Sequence, residues 1–71
     1  MTAQEWLTAF AERIGAPAPD EQTMDTLLAL AGVAAHASER IAAPLACWMV
    51  GVAGADAQVA LDAAREVAGQ G

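Results

Sequence analysis

The sequence predicts an all-α fold, a small bundle of four helices in which the second is longest and central. Three observations predict it. Alanine, the best helix former, supplies 20 of the 40 hydrophobic residues. Apolar residues recur at three- and four-residue spacing in four separate stretches. Strand formers are sparse and never alternate over a useful length. At 71 residues the chain is read as a single helical domain, 1–71.

Helix one opens with a capping box. Thr2 is followed three residues later by Glu5, so each side chain can satisfy the other's backbone N–H. Trp6, Leu7, Phe10 and Ile14 then form one apolar stripe. Gly15 ends the helix and Pro17 confirms the stop. The segment from Gly15 to Asp20 holds two prolines, so it sets an angle between helices. Asp20 is the expected N-cap of the next helix, and Glu21 suits its positive end.

Helix two is expected from about Glu21 to about Arg40. One stripe is Met24, Leu27, Leu28, Ala31 and Ala35; a second is Leu30, Val33 and Ala37. A helix apolar on two sides packs against more than one neighbour. A third face carries Asp25, Ala29, Gly32, His36, Glu39, Arg40 and Ala43. Gly32 in mid-helix costs about 1 kcal/mol relative to alanine, which implies close approach by another backbone or a ligand.

Helix three is expected to begin near Pro44, with a bend at Ala42–Ala43. Leu45, Trp48, Met49 and Val52 form its strong apolar stripe. Cys47, Gly51 and Ala55 form a small-residue face against which a neighbouring helix could sit closely. Gly54 ends this helix and Asp56 caps helix four. Val59, Ala60, Ala63, Ala64 and Val67 line its inner face, Asp62, Arg65 and Glu66 are solvated, and Gly69-Gln70-Gly71 is expected to fray. Because alanine buries little area, the core must come from Trp6, Leu7, Phe10, Ile14, Leu27, Leu28, Leu30, Val33, Leu45, Trp48, Met49, Val52, Val59 and Val67.

A domain this small is marginal without help. Cys47 is the only cysteine, so no disulfide forms within the chain. Cys47 and His36 cannot supply the four ligands of a zinc site. No metal or cofactor is expected. What remains is regular helix packing and association, so a homodimer or a stable complex is expected.

Three basic residues stand against nine acidic ones, giving a net charge of -6 with no lysine. That balance argues against nucleic acid and anionic membrane as partners. It keeps an apolar domain soluble and is compatible with a basic protein partner. The longest uncharged run, Ile41 to Ala55, is shorter than the roughly 20 residues of a membrane-spanning helix. The N-terminal residues show no basic region followed by an apolar stretch. With a free thiol as well, a cytoplasmic location is expected.

One polar constellation stands out, His36-x-x-Glu39-Arg40. On a continuous helix the three would share a side. They could form an anion or phosphate site, with Arg40 as a bidentate fork and His36 as a second donor. They could equally be a charge cluster that anchors the bend before Pro44, with Arg40 bonding the last carbonyls of helix two. No nucleophile stands at a telling spacing from His36, and Cys47 reads as a small core residue. No phosphate-binding loop or dinucleotide fingerprint is present. No catalytic residue is therefore nominated, and the chain is not expected to be an enzyme. Trp6 and Trp48 lie on core stripes and are also interface candidates, since tryptophan is enriched at interfaces.

The run from Leu28 to Leu45, with His36, Glu39, Arg40, Ala42, Ala43, Pro44 and Leu45 at its centre, continues to Gly51-Val-Ala-Gly54. It resembles a small bacterial domain of unknown function that carries a His-x-x-Glu-Arg-x-Ala-Ala-Pro-Leu motif. That domain occurs mainly in actinobacteria, alone or fused to molybdenum-cofactor guanylyltransferase. The resemblance covers about residues 24 to 54. Ser38 stands where glycine is common and Ile41 where proline is common. The resemblance implies a neighbourhood in molybdenum-cofactor biosynthesis. The expected function is then a non-catalytic accessory module that docks on an enzyme of that pathway or on its client. The alternative is a module that holds a phosphate of a pterin or nucleotide through His36 and Arg40, with Gly32 permitting approach.

Overall fold

A computed structural model of the chain describes residues 1–70. It contains four α-helices: α1 (Ala3–Ile14), α2 (Glu21–Ala37), α3 (Ala42–Ala53) and α4 (Ala57–Gln70). There is no strand among the described residues. At 17 residues α2 is the longest helix. It is also central: α3 and α4 both pack against it, while α1 packs on none of them to a comparable extent.

The helix ends follow their local chemistry. The Thr2 N–H donates to Glu5 Oε1 at 2.9 Å, and the Glu5 N–H donates to Thr2 Oγ1 at 3.1 Å, so the capping box is complete. The Thr23 N–H donates to Asp20 Oδ1 at 2.7 Å. Asp56 accepts from the N–H groups of Gln58 and Val59 at 3.1 and 3.2 Å. Gly15 and Gly54 terminate α1 and α3 at φ 74° and 64°. At Gly54 two further bonds close the end, from Gly54 N to Gly51 O and from Ala55 N to Val50 O. That pairing needs the left-handed conformation that glycine adopts without strain.

Three boundaries differ from the sequence expectation. α2 ends at Ala37, three residues early, with Ser38 as its C-cap. Its hydroxyl donates to Ala34 O at 2.9 Å, and its N–H donates to the same oxygen at 3.2 Å. Thr8 and Thr26 make the same hydroxyl bond inside α1 and α2, so the break lies in the Ser38 backbone, which leaves the helical region at φ -138° and ψ -97°. The chain then turns tightly, with the N–H groups of Ala42 and Ala43 donating to Glu39 O and Arg40 O. α3 starts two residues before Pro44, so Ala42 and Ala43 are its first turn and the bend lies upstream. Pro44 is the third helical residue, where a missing N–H leaves no bond unmade. Gly69 and Gln70 are helical rather than frayed, while Gly71 lies outside the described residues.

The largest departure is in the core. Among the described residues only Ala11, Leu30 and Leu61 are buried, with 8, 2 and 4% of their surface exposed. Leu7, Leu27 and Val33 are half-buried. Trp6, Phe10, Ile14, Leu28, Leu45, Trp48, Met49, Val52, Val59 and Val67 were all expected in the core and are all exposed. The helices meet through small side chains instead. Ala31, Ala34 and Ala35 on α2, Ala43, Ala46 and Cys47 on α3, and Ala60 and Ala64 on α4 are among the half-buried positions. Alanine-lined faces let helix axes approach closely, and a stripe of large residues on the same helix must then point elsewhere. On α4 the buried position is Leu61, with Ala57, Ala64 and Ala68 half-buried beside it, while Val59 and Val67 remain exposed.

The result is an open molecule. Its accessible surface is 5422 Å², whereas a folded monomer of 7.2 kDa should expose about 4,100 Å². Its radius of gyration is 12.7 Å, against about 11 Å for a globular chain of this length.

Candidate functional site

The main concavity is a groove of about 640 Å³ between α3 and α4, floored by α2. Leu30 and Val33 form the floor, Ala46, Met49 and Val50 one wall, and Val59, Ala63 and Val67 much of the other. Ser38 is the only lining residue with a polar side chain, and its hydroxyl is already engaged with Ala34 O. No titratable group lines the groove. What it offers chemically is apolar area that prefers to leave water.

Two more apolar surfaces stand beside it. Leu45, Trp48 and Val52 on α3, with Ile41 just before it, form an exposed stripe outside the groove; Trp48 retains 67% of its surface. On α1, Trp6 and Phe10 stack with ring centroids 4.9 Å apart and continue to Ile14, all exposed. α1 touches the body through the edge of its apolar arc, Leu7 and Ala11, while the centre of that arc faces solvent.

The residues singled out from the sequence fall in different places. His36 lies in the last turn of α2, while Glu39 and Arg40 lie in the connecting turn; all three side chains are exposed. The helical alignment that was expected to bring them to one side is therefore absent. Neither the groove nor the smaller polar concavity described below is lined by any of them. Glu39 and Arg40 act through their backbone carbonyls, and Ser38 rather than Arg40 caps the end of α2.

Gly32 and Gly51 do not mark close approaches. A β-carbon built on either would meet no atom within 4 Å. The helix thus carries the entropic cost of Gly32 without a packing return inside this chain. Gly32→Ala should stabilise the domain by about 0.5–1 kcal/mol. Urea unfolding followed by circular dichroism measures this, and a loss of stability would mean that something does approach Gly32.

A second, polar concavity of about 280 Å³ lies between the N-termini of α2 and α4, with Asp20, Thr23, Asp56 and Gln58 in its wall. Its carboxylates are occupied as helix caps. The Thr23 hydroxyl and N–H hold the Asp20 carboxyl below its ordinary 3.8, as the Thr2 N–H and hydroxyl hold Glu5 below 4.5. A carboxylate whose folded pKa is lowered contributes stability above its unfolded value and loses it as pH falls through the folded one. Helix stability from these two caps should therefore be complete at neutral pH and decline below about pH 4. Thermal unfolding across that range tests this, and Asp20→Asn should shrink the acid-induced drop. Among the described residues no group of three potential metal ligands comes together.

Leu61 and Ala11 escaped sequence reasoning. Neither stands on the stripe of large apolar residues that the periodicity of its helix picks out. The groove itself had none, because it depends on which faces meet.

These features define a small all-helical domain with exposed apolar surfaces and with the singled-out polar side chains outside its concavities. The chain belongs to the DUF6457 family, a domain of unknown function, whose family model matches residues 1–70. Neither the curated proteins nor the solved structures offer a match.

Proposed function

We propose that this chain is a non-catalytic protein-binding module, and that the outer stripe of α3 is the surface that meets its partner. One observation carries the reading. α3 has no charged, amide or hydroxyl side chain on any face, and a helix apolar all round belongs in an interior. Only the Ala43, Ala46 and Cys47 side of it is covered by α2. Leu45, Trp48 and Val52 are left in water, where a contiguous apolar patch marks an interaction site.

All nine acidic side chains are exposed, so the partner surface is an apolar pocket with a basic rim. No helix among the described residues is long and apolar enough to cross a membrane, which suits a cytoplasmic partner. The His36-to-Leu45 motif makes molybdenum-cofactor guanylyltransferase, or a client of that pathway, the partner to try first. A phosphate site through His36 and Arg40 has less to stand on, since both side chains are exposed outside the concavities. The test is a calorimetric titration of the purified chain into the guanylyltransferase. Saturable binding supports the reading; a flat trace at high concentration removes this partner.

A further inference from the structure

From the mismatch between groove and α1, we infer that the groove of one chain is occupied by α1 of a second copy, with the two copies exchanging α1 about a twofold axis. This rests on the protein-binding reading and names the occupant of a different surface.

The chain carries both halves of the fit. Trp6, Phe10 and Ile14 form a row at i, i+4, i+8, and Val59, Ala63 and Val67 form another along the groove wall. Rows of this spacing are the ridges that interdigitate when helices pack. Ala63 is the small central member of its row, so it leaves a notch opposite a large side chain such as Phe10. α1 and α3 have 12 residues each and so rise about 18 Å apiece. One helix therefore fills the groove lengthwise. Seating an amphipathic helix in an apolar groove is a standard recognition mode, and exchange makes it isologous.

The area agrees. The chain exposes about 1,300 Å² more than a monomer of its mass should, and a standard interface takes about 800 Å² from each partner. A dimer built this way uses most of the excess and leaves the outer stripe of α3 for the other partner. Two chains of charge -6 repel each other. Salt should accordingly strengthen self-association, whereas it weakens binding to a basic partner.

Sedimentation equilibrium on single and mixed variants tests the exchange, with helical content checked by circular dichroism. Phe10→Glu spoils the inserted helix and Ala63→Glu spoils the groove. Both positions are exposed within one chain, so each variant should fold and associate at least about 30-fold more weakly than wild type. Mixing them pairs one intact helix with one intact groove, so a heterodimer should return. Trp48→Ala should self-associate like wild type. A wild-type chain that stays monomeric overturns the exchange, as do a Phe10→Glu variant that associates normally and a mixture that stays monomeric. Loss of self-association in Trp48→Ala alone would put the interface on α3, which contradicts the exchange while sparing the protein-binding reading.

Discussion

Truncating Leu30 to alanine should cost about 2–5 kcal/mol, about half of what this domain has. Leu30 is the one large side chain with almost no surface in water, and it forms part of the floor between the two helices that pack on α2. Removing it leaves a cavity that flanking alanines cannot collapse to fill. A chain of 71 residues is worth about 4–10 kcal/mol in total, so the variant should be partly unfolded at physiological temperature. Urea unfolding read at 222 nm gives the number. The companion measurement is Trp48→Ala, which should change stability by no more than about 0.5 kcal/mol, because a solvent-exposed side chain gives up little when cut back. Equal losses at the two positions would mean that Trp48 is a core residue and that α3 is turned the wrong way in this account.

The same Trp48→Ala variant should weaken partner binding by about 2 kcal/mol or more, near 30-fold in affinity. Tryptophan supplies a large apolar area at small entropic cost, and its value appears only when a partner excludes water from it. Leu45 and Val52 flank it and would form the surrounding contact. Stability and binding should therefore separate cleanly, with Leu30 governing the first and Trp48 the second. A variant that binds the guanylyltransferase as tightly as wild type would remove the α3 stripe from the interface.

The helices and their ends were legible in the sequence because caps are local. Thr2 with Glu5, Asp20, Asp56, Gly15 and Gly54 each act within a few residues, and each does in the structure what its spacing implies. The central position of α2 was legible too, from its two apolar sides. Orientation was not. Periodicity says that Trp48 and Leu45 avoid water, but it cannot say whether their own chain or another provides the shelter. In an alanine-rich helix both the small face and the large face are apolar, so pattern alone gives no preference. The His36, Glu39 and Arg40 alignment failed for a different reason. It assumed a helix continuous to Arg40, and the backbone leaves the helical region at Ser38 first.

The dependence of thermal stability on protein concentration tests most directly whether this fold is completed by association. If the exposed apolar rows are meant to be covered, the unfolding midpoint of the wild-type chain should rise by about 3 °C or more for each tenfold increase in concentration. A midpoint that stays constant from micromolar to millimolar protein would show that the domain is self-sufficient and that its apolar surface stabilises no assembly of its own.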